Sequence, residues 1–367
     1  MSGFDATRLQ RLHDVVAGHV DRDTVGGVAW LAARDDDVEV GVAGTLTRGE
    51  AEPVRRDSIF RIASMTKPIV AVAALILIEE CRLRLEDPVD DLLPELADRR
   101  VLVDPRGPMD GDSVPARRPI TVREVLTFQL GLGMDFEAPW PQPLLEAMGR
   151  FGLGAGPPEP QVPPEPDEWT RRLSTLPLLY QPGERWLYNT GSDVLGVLIA
   201  RAAGQPLERF LRERVFDPAG MVDTGFATPH TARLGSCYAV DPGSGQRIVY
   251  DGPSGQWATP PAFPSGGGGL VSTVDDLCAF ARVLLAGGPT VPGCSRERRS
   301  RPWQPTTSAP TVARPGRPPT PRWAGGSAWA SRSAARGSPG PSAATGGTAA
   351  WVRPGPTTPG SASRASC

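Results

Sequence analysis

Ser58-Ile-Phe-Arg-Ile-Ala-Ser-Met-Thr-Lys-Pro68 contains the only lysine of the chain. All the other basic residues, of 39 in total, are arginine, so Lys67 marks a place where guanidinium does not serve. A guanidinium keeps its proton at any working pH, whereas a partly buried ammonium can lose one and act as a base. Ser64 stands three residues earlier, and the apolar run Pro68 to Ile78 predicts a helix over Ser64 to Leu85, closed by Glu86-Asp-Pro. Pro68 falls in its first turn, where a missing N–H costs little. On a helix the i to i+3 spacing puts both polar side chains on one face. A serine hydroxyl is a poor nucleophile until a neighbour takes its proton, and a helix start offers backbone N–H groups to an oxyanion. Chance alone would place a serine there about one time in fifteen.

With 367 residues, 40% of them hydrophobic, the chain can bury a core of its own as one large domain or two smaller ones. Met1 to Leu12 lacks the basic start, apolar centre and small-residue cleavage site of a secretory signal, which predicts a cytoplasmic protein. The longest apolar run is about half the ~20 residues a membrane span needs. The cysteines, Cys81, Cys237, Cys278, Cys294 and Cys367, show neither disulfide nor zinc-site spacing and are read as buried thiols. His13, His19 and His230 have no evident acid-base partner, so a Ser-His-Asp mechanism is poorly supported.

Alternation from Gly26 to Ala43 about a charged Arg34 to Asp37 turn predicts a hairpin, covered by a helix over Asp5 to Asp21. Helical stretches Val122 to Leu130 and Glu168 to Leu176, separated by Pro/Gly-rich loops, predict a helical insertion over about 85–182. Helices over Ser192 to Ala203 and Leu207 to Val215 follow, then strands near Gly235 to Val240 and Arg247 to Asp251. Thr273 and Asp276 have the spacing of a capping box for a helix ending near Leu285. The Ser265-Gly-Gly-Gly-Gly run before it lacks the Gly-Lys-Ser/Thr of a phosphate loop, which argues against nucleotide binding.

The nucleophile stretch and Gln181-Pro-Gly-Glu-Arg-Trp-Leu-Tyr-Asn-Thr-Gly-Ser-Asp-Val-Leu-Gly closely resemble the family of class C β-lactamases, DD-peptidases and family VIII carboxylesterases. Ile120-Thr-Val-Arg-Glu-Val-Leu-Thr and Ser265 to Asp276 extend the resemblance over about Leu12 to Leu285. It implies an α+β fold of the serine β-lactamase/DD-peptidase type: a mainly antiparallel sheet flanked by helices, with the site against the helical insertion. Residue by residue, it makes Ser64 the acylated nucleophile, Lys67 its base and Tyr188 the group that protonates the leaving group. The β-lactamase form of the second motif is Y-x-N, and here Thr190 takes the place of the amide, as a candidate substrate contact. That departure favours ester or transester chemistry over β-lactam hydrolysis. The expected partner is a small ester or amide, with no metal, organic cofactor, nucleic acid or membrane. β-Lactamase or DD-peptidase activity and a non-catalytic pseudoenzyme are the alternatives.

The text changes near Pro289. Residues 289–367 contain no Leu, Ile, Phe, Tyr, Met, Asp, Asn, Lys or His, and carry eleven arginines against a single acid, Glu297. Such a segment builds no packed element. Read literally it is a basic, disordered arm with a formal charge near +10, against about −12 for residues 1–288. The alternative is a shifted reading frame of GC-rich DNA. Back-translated in one other frame, Ser295 to Pro310, Trp323 to Ser333 and Ala343 to Ser363 can be read as strand-like text, including a W-D-G where the family's third motif is expected. The resemblance assigns that motif's strand a second oxyanion N–H, so the literal chain is expected to fold poorly and turn over little. Ala344-Thr345-Gly346 echoes the third-motif K-T-G and is given no role.

Overall fold

The helix that follows Ser64 carries apolar residues round most of its circumference and has nine of its 14 residues buried, with Leu75 left exposed. The computed structural model describes residues 3–241 and 243–286. In chain order, α1 (Ala6–Asp21) covers the hairpin β1 (Gly27–Arg34) and β2 (Asp37–Gly44), and β3 (Phe60–Arg61) leads through a 3-10 turn into α2 (Thr66–Glu79). The insertion holds a small hairpin, β4 (Arg100–Leu102) and β5 (Ser113–Pro115), and three helices, α3 (Val122–Leu126), α4 (Pro143–Arg150) and α5 (Pro166–Ser174). Then come α6 (Thr190–Ala203), α7 (Leu207–Leu211), α8 (Asp217–Ala219), the hairpin β6 (Cys237–Val240) and β7 (Arg247–Asp251), β8 (Val271–Ser272) and α9 (Val274–Leu285). The class is α+β.

Buried side chains of α2 (Ile69, Val70, Ala73, Leu77) and of α6 (Val194, Leu195, Leu198, Ile199) share one core with residues of the insertion. The described strands pair antiparallel in four separate two-stranded units, not in one continuous sheet. β1 pairs with β2 from Gly27 opposite Gly44 to Arg34 opposite Asp37 and with no other described strand. No residue of α1, β1 or β2 is fully buried, although the strands carry Val28, Trp30, Leu31, Val38, Val40 and Val42.

Several expected boundaries move. Ala63–Met65 is a 3-10 turn, so Ser64 stands just before α2, and that helix stops at Glu79 rather than Leu85. Cys81 turns into the left-handed region (φ 59°), and the Arg82 N–H caps the carbonyl of Leu77 at 2.9 Å. The helix expected over Val122 to Leu130 likewise ends at Leu126, followed by Phe128 at φ 62°. The capping box before α9 is half made. Thr273 Oγ1 accepts from the Asp276 N–H at 3.2 Å, but the Asp276 carboxylate turns instead to the Asp223 N–H at 2.9 Å and the Thr224 hydroxyl at 2.7 Å. Of the cysteines read as buried thiols, Cys237 is buried, Cys278 partly so and Cys81 exposed, while Cys294 and Cys367 lie outside the described residues. The segment 289–367 and both readings of it lie outside them too. No described helix is long and apolar enough to cross a membrane.

One buried ion pair ties the strand before Ser64 to the β6–β7 hairpin. Arg61 donates through Nε to Asp251 Oδ2 at 3.0 Å, pairs with the same oxygen through Nη2, and lies 5.0 Å from the centroid of the Trp257 ring. Asp251 Oδ1 accepts the Gln256 N–H at 2.7 Å. Removing one partner of such a pair strands the other charge in a dry site. Arg61→Ala should therefore lower the unfolding free energy by about 3–5 kcal/mol in urea titrations; an unchanged midpoint would count against a structural role for the pair.

Candidate active site

Ser64, Lys67 and Tyr188 meet at the start of α2. Lys67 Nζ lies 3.0 Å from Ser64 Oγ, and the Tyr188 hydroxyl lies 2.7 Å from the same oxygen. Nζ also stands 4.6 Å from the centroid of the Tyr188 ring and donates to the carbonyl oxygen of Gly267. Ser64 is exposed while Lys67 is buried, so the hydroxyl faces outward over the ammonium.

Strained backbone holds two of these groups. Ala63, just before Ser64, has φ 43°, and Asn189, just after Tyr188, has φ 79° and ψ −65°. The Thr190 N–H donates to the Tyr188 carbonyl at 3.2 Å, so residues 188–190 form a γ-turn, a conformation rare outside glycine. Non-glycine residues keep such angles only where their surroundings over-determine them. Here Tyr188 exchanges both backbone hydrogen bonds with Met134 (2.8 and 2.9 Å), and α6 begins immediately after the turn.

The glycine run supplies the floor. A Cβ on Gly266 would fall 2.2 Å from the carbonyl oxygen of Ser192, and one on Gly267 would fall 3.0 Å from Asn189 Oδ1 and from both Asp193 carboxylate oxygens. The loop is glycine-rich because it lies directly against the first turn of α6, bringing the Gly267 carbonyl under Lys67. Asp193, fully enclosed, accepts from Ser265 Oγ at 2.6 Å and from the Gly267 N–H at 2.9 Å. Burial pushes the Lys67 ammonium below the ordinary lysine range, against opposing pulls from Tyr188 and Asp193. Burial pushes the Asp193 carboxyl up, against its two donors and Lys67.

Thr190, the expected substrate contact, does not join the cluster. It is buried, with Oγ1 4.0 Å from Met148 Sδ, because it opens α6 and the γ-turn carries it away from the Ser64 side. Asp193 has no mark in the sequence, since it does not stand next to the nucleophile motif. The glycine run was the available signal, because it marks where another backbone comes close. None of the three histidines lies among these groups, and among the described residues no cluster of His, Cys, Asp or Glu is arranged to hold a metal ion.

Ser64 Oγ thus lies between the Lys67 ammonium and the Tyr188 hydroxyl on an α+β scaffold. The sequence profile of the Beta-lactamase family matches residues 12–356, and the chain belongs to that family. Esterase EstB of Burkholderia gladioli is 33% identical over 307 residues, spanning 77% of this chain and 72% of that protein. Protein Rv1367c of Mycobacterium tuberculosis is 40% identical over 270 residues, 73% of this chain but 64% of that relative's length. Among solved structures, EstCE1, described as a hydrolase with promiscuous acyltransferase activity, superposes with a TM-score of 0.62 at 27% identity, covering 77% of this chain and 74% of its own.

If Lys67 is the base, it must be neutral to take a proton. A value depressed by burial then places the acid limb of Ser64 reactivity below the ordinary lysine range, with reactivity rising as pH rises through that limb. Lys67→Arg, which stays protonated, should reduce labelling of Ser64 by a fluorophosphonate at least about 100-fold; labelling rates from pH 5 to 10 on folded protein check both expectations.

Proposed function

We propose that this chain is a serine hydrolase that cleaves small carboxylic esters through an acyl-enzyme. The observation that carries the reading is the pair of contacts to one oxygen: Lys67 at 3.0 Å and Tyr188 at 2.7 Å from Ser64 Oγ. Ser64 Oγ attacks the ester carbonyl carbon and its proton passes to Lys67. As the tetrahedral species collapses, the bond to the alcohol oxygen breaks, Tyr188 gives that oxygen its proton, and Lys67 returns one to Tyr188. Water or an alcohol then attacks the acyl group by the reverse sequence, restoring Ser64. Ester chemistry is also favoured by the buried Thr190 at the place of the second motif's amide, and by the esterase and acyltransferase relatives.

The surface beside Tyr188 favours an apolar substrate. Phe136 (61% exposed) and Trp186 (46% exposed) lie with ring centroids 5.3 and 5.8 Å from that of Tyr188, and Phe128 backs Trp186 edge-on at 5.9 Å. Arg185 pins Asp135 and Glu137, the two neighbours of Phe136, at 3.0 and 2.7 Å, which keeps Phe136 and Trp186 turned outward. Exposed rings held next to a nucleophile suit the hydrocarbon or aryl part of an ester.

A second reading, an inactive product, rests on the composition of 289–367. Sequencing the gene across the codons for Leu284 to Arg301 distinguishes the two, since a frame error corrected there restores the ester-hydrolase reading.

Ser64→Ala should abolish fluorophosphonate labelling and hydrolysis of p-nitrophenyl butyrate, and the unsubstituted protein should prefer that ester to a chromogenic cephalosporin; labelling at another residue contradicts the assignment. Trp186→Ala should raise KM for p-nitrophenyl butyrate about tenfold while changing that for p-nitrophenyl acetate less; equal effects on the two esters would remove the aromatic wall from the substrate site.

A further inference from the structure

The buried acid beneath the glycine loop has a place in neither the nucleophile motif nor the proton transfers described above. Asp193 sits on the first turn of α6 and touches neither Ser64 nor the open face of the site. Its Oδ1 accepts two hydrogens from the loop, from Ser265 Oγ at 2.6 Å and from the Gly267 N–H at 2.9 Å. The other end of that loop residue, the Gly267 carbonyl, is the acceptor for Lys67 Nζ. One residue thus joins the acid to the base, its N–H on Asp193 and its C=O on Lys67. The loop has no slack, because a Cβ at Gly266 would meet the Ser192 backbone and one at Gly267 would meet Asp193 itself.

From this geometry we propose that Asp193 is the positioning residue of the general base: it anchors Gly267 beneath Lys67 and, in the ionised form that its two donors favour, serves as the buried counter-charge to the ammonium. The groups acting on Lys67 are the Tyr188 ring and hydroxyl from the γ-turn, Ser64 from the 3-10 turn, the Gly267 carbonyl from the loop, and Asp193 from α6. Asp193 is the only carboxylate among them, and Lys67 makes no direct ion pair among the described residues. A buried charge in that position acts through little screening. The device sets two things, where Nζ sits and the pH at which it releases its proton to become a base. The inference deepens the ester-hydrolase reading.

The single lysine makes the test direct, because protein grown with 13Cε-lysine gives one lysine signal, that of Lys67. The signal is titrated by NMR in the full chain, in Asp193→Asn, which keeps an acceptor and loses the charge, and in Ser265→Ala, which withdraws one donor from the acid. Near-UV circular dichroism establishes that each variant is folded. Asp193→Asn should lower the Lys67 midpoint by about one pH unit, a tenfold weaker hold on the proton. Ser265→Ala should lower it by less, since an acid with one donor fewer gives up its charge at higher pH. The acid limb of fluorophosphonate labelling should move down with the midpoint. Folded variants whose lysine signal titrates as in the unsubstituted chain overturn the proposal. The NMR titration needs no turnover, so absent ester hydrolysis with a displaced midpoint would count against the ester-hydrolase reading alone.

Discussion

A lysine that is to act as a base, as proposed for Lys67, cannot be salt-bridged to a neighbour, and it cannot be left in water. The first arrangement would hold its proton too tightly, and the second would leave it an ordinary ammonium. Lys67 is buried at the start of an apolar helix with a carbonyl and a hydroxyl as its hydrogen-bonding partners, and its nearest carboxyl is set one peptide away. Much of the site follows from that constraint. The glycine run lets the Gly267 carbonyl come under Nζ, the γ-turn at Asn189 lays the Tyr188 ring beside it, and the left-handed Ala63 turns Ser64 outward above it. Backbone strain at Ala63 and Asn189 is offset by the packing of α2 against α6, the best-buried part of the structure.

Away from that centre the order of burial reverses. α6 is enclosed along most of its length, whereas α1, β1 and β2 have no fully buried residue despite an apolar pattern. A hairpin carrying Trp30, Leu31, Val40 and Val42 normally gains its stability from further strands or a covering layer. The described residues provide α1 on one side and α9 nearby, and they leave the β1 edge unpaired. The apolar pattern of the hairpin and the aberrant composition beyond Pro289 are independent observations. The shifted frame read from the composition beyond Pro289 is a proposal about residues outside those described. The family match nevertheless extends from residue 12 to residue 356.

Much of this was legible in one dimension. Ser64 and Lys67 stood out because a single lysine among arginines, three residues after a serine at a helix start, is a local chemical signal. Tyr188 was legible through the motif around it, and the hairpin, α6 and α9 through periodicity and caps. Helix ends at Glu79 and Leu126 were misplaced because left-handed turns at Cys81 and Phe128, neither of them glycine, leave no mark in the text. Thr190 lies apart from Ser64, Lys67 and Tyr188 because the γ-turn at Asn189 breaks the even run of backbone that motif spacing assumes past Tyr188.

What the sequence determined by itself was chemical identity: which serine stands three residues before the single lysine, and which stretches must be buried. Those follow from residue spacing and apolar periodicity, which are properties of short segments. Only the tertiary structure decided that Asp193 lies beneath the glycine loop, that Phe136 and Trp186 stand in one wall with Tyr188, and that Arg61 anchors the nucleophile strand to Asp251. Each of these joins residues tens to hundreds of positions apart, and such contacts are set by how helices and loops pack, a quantity no local pattern encodes.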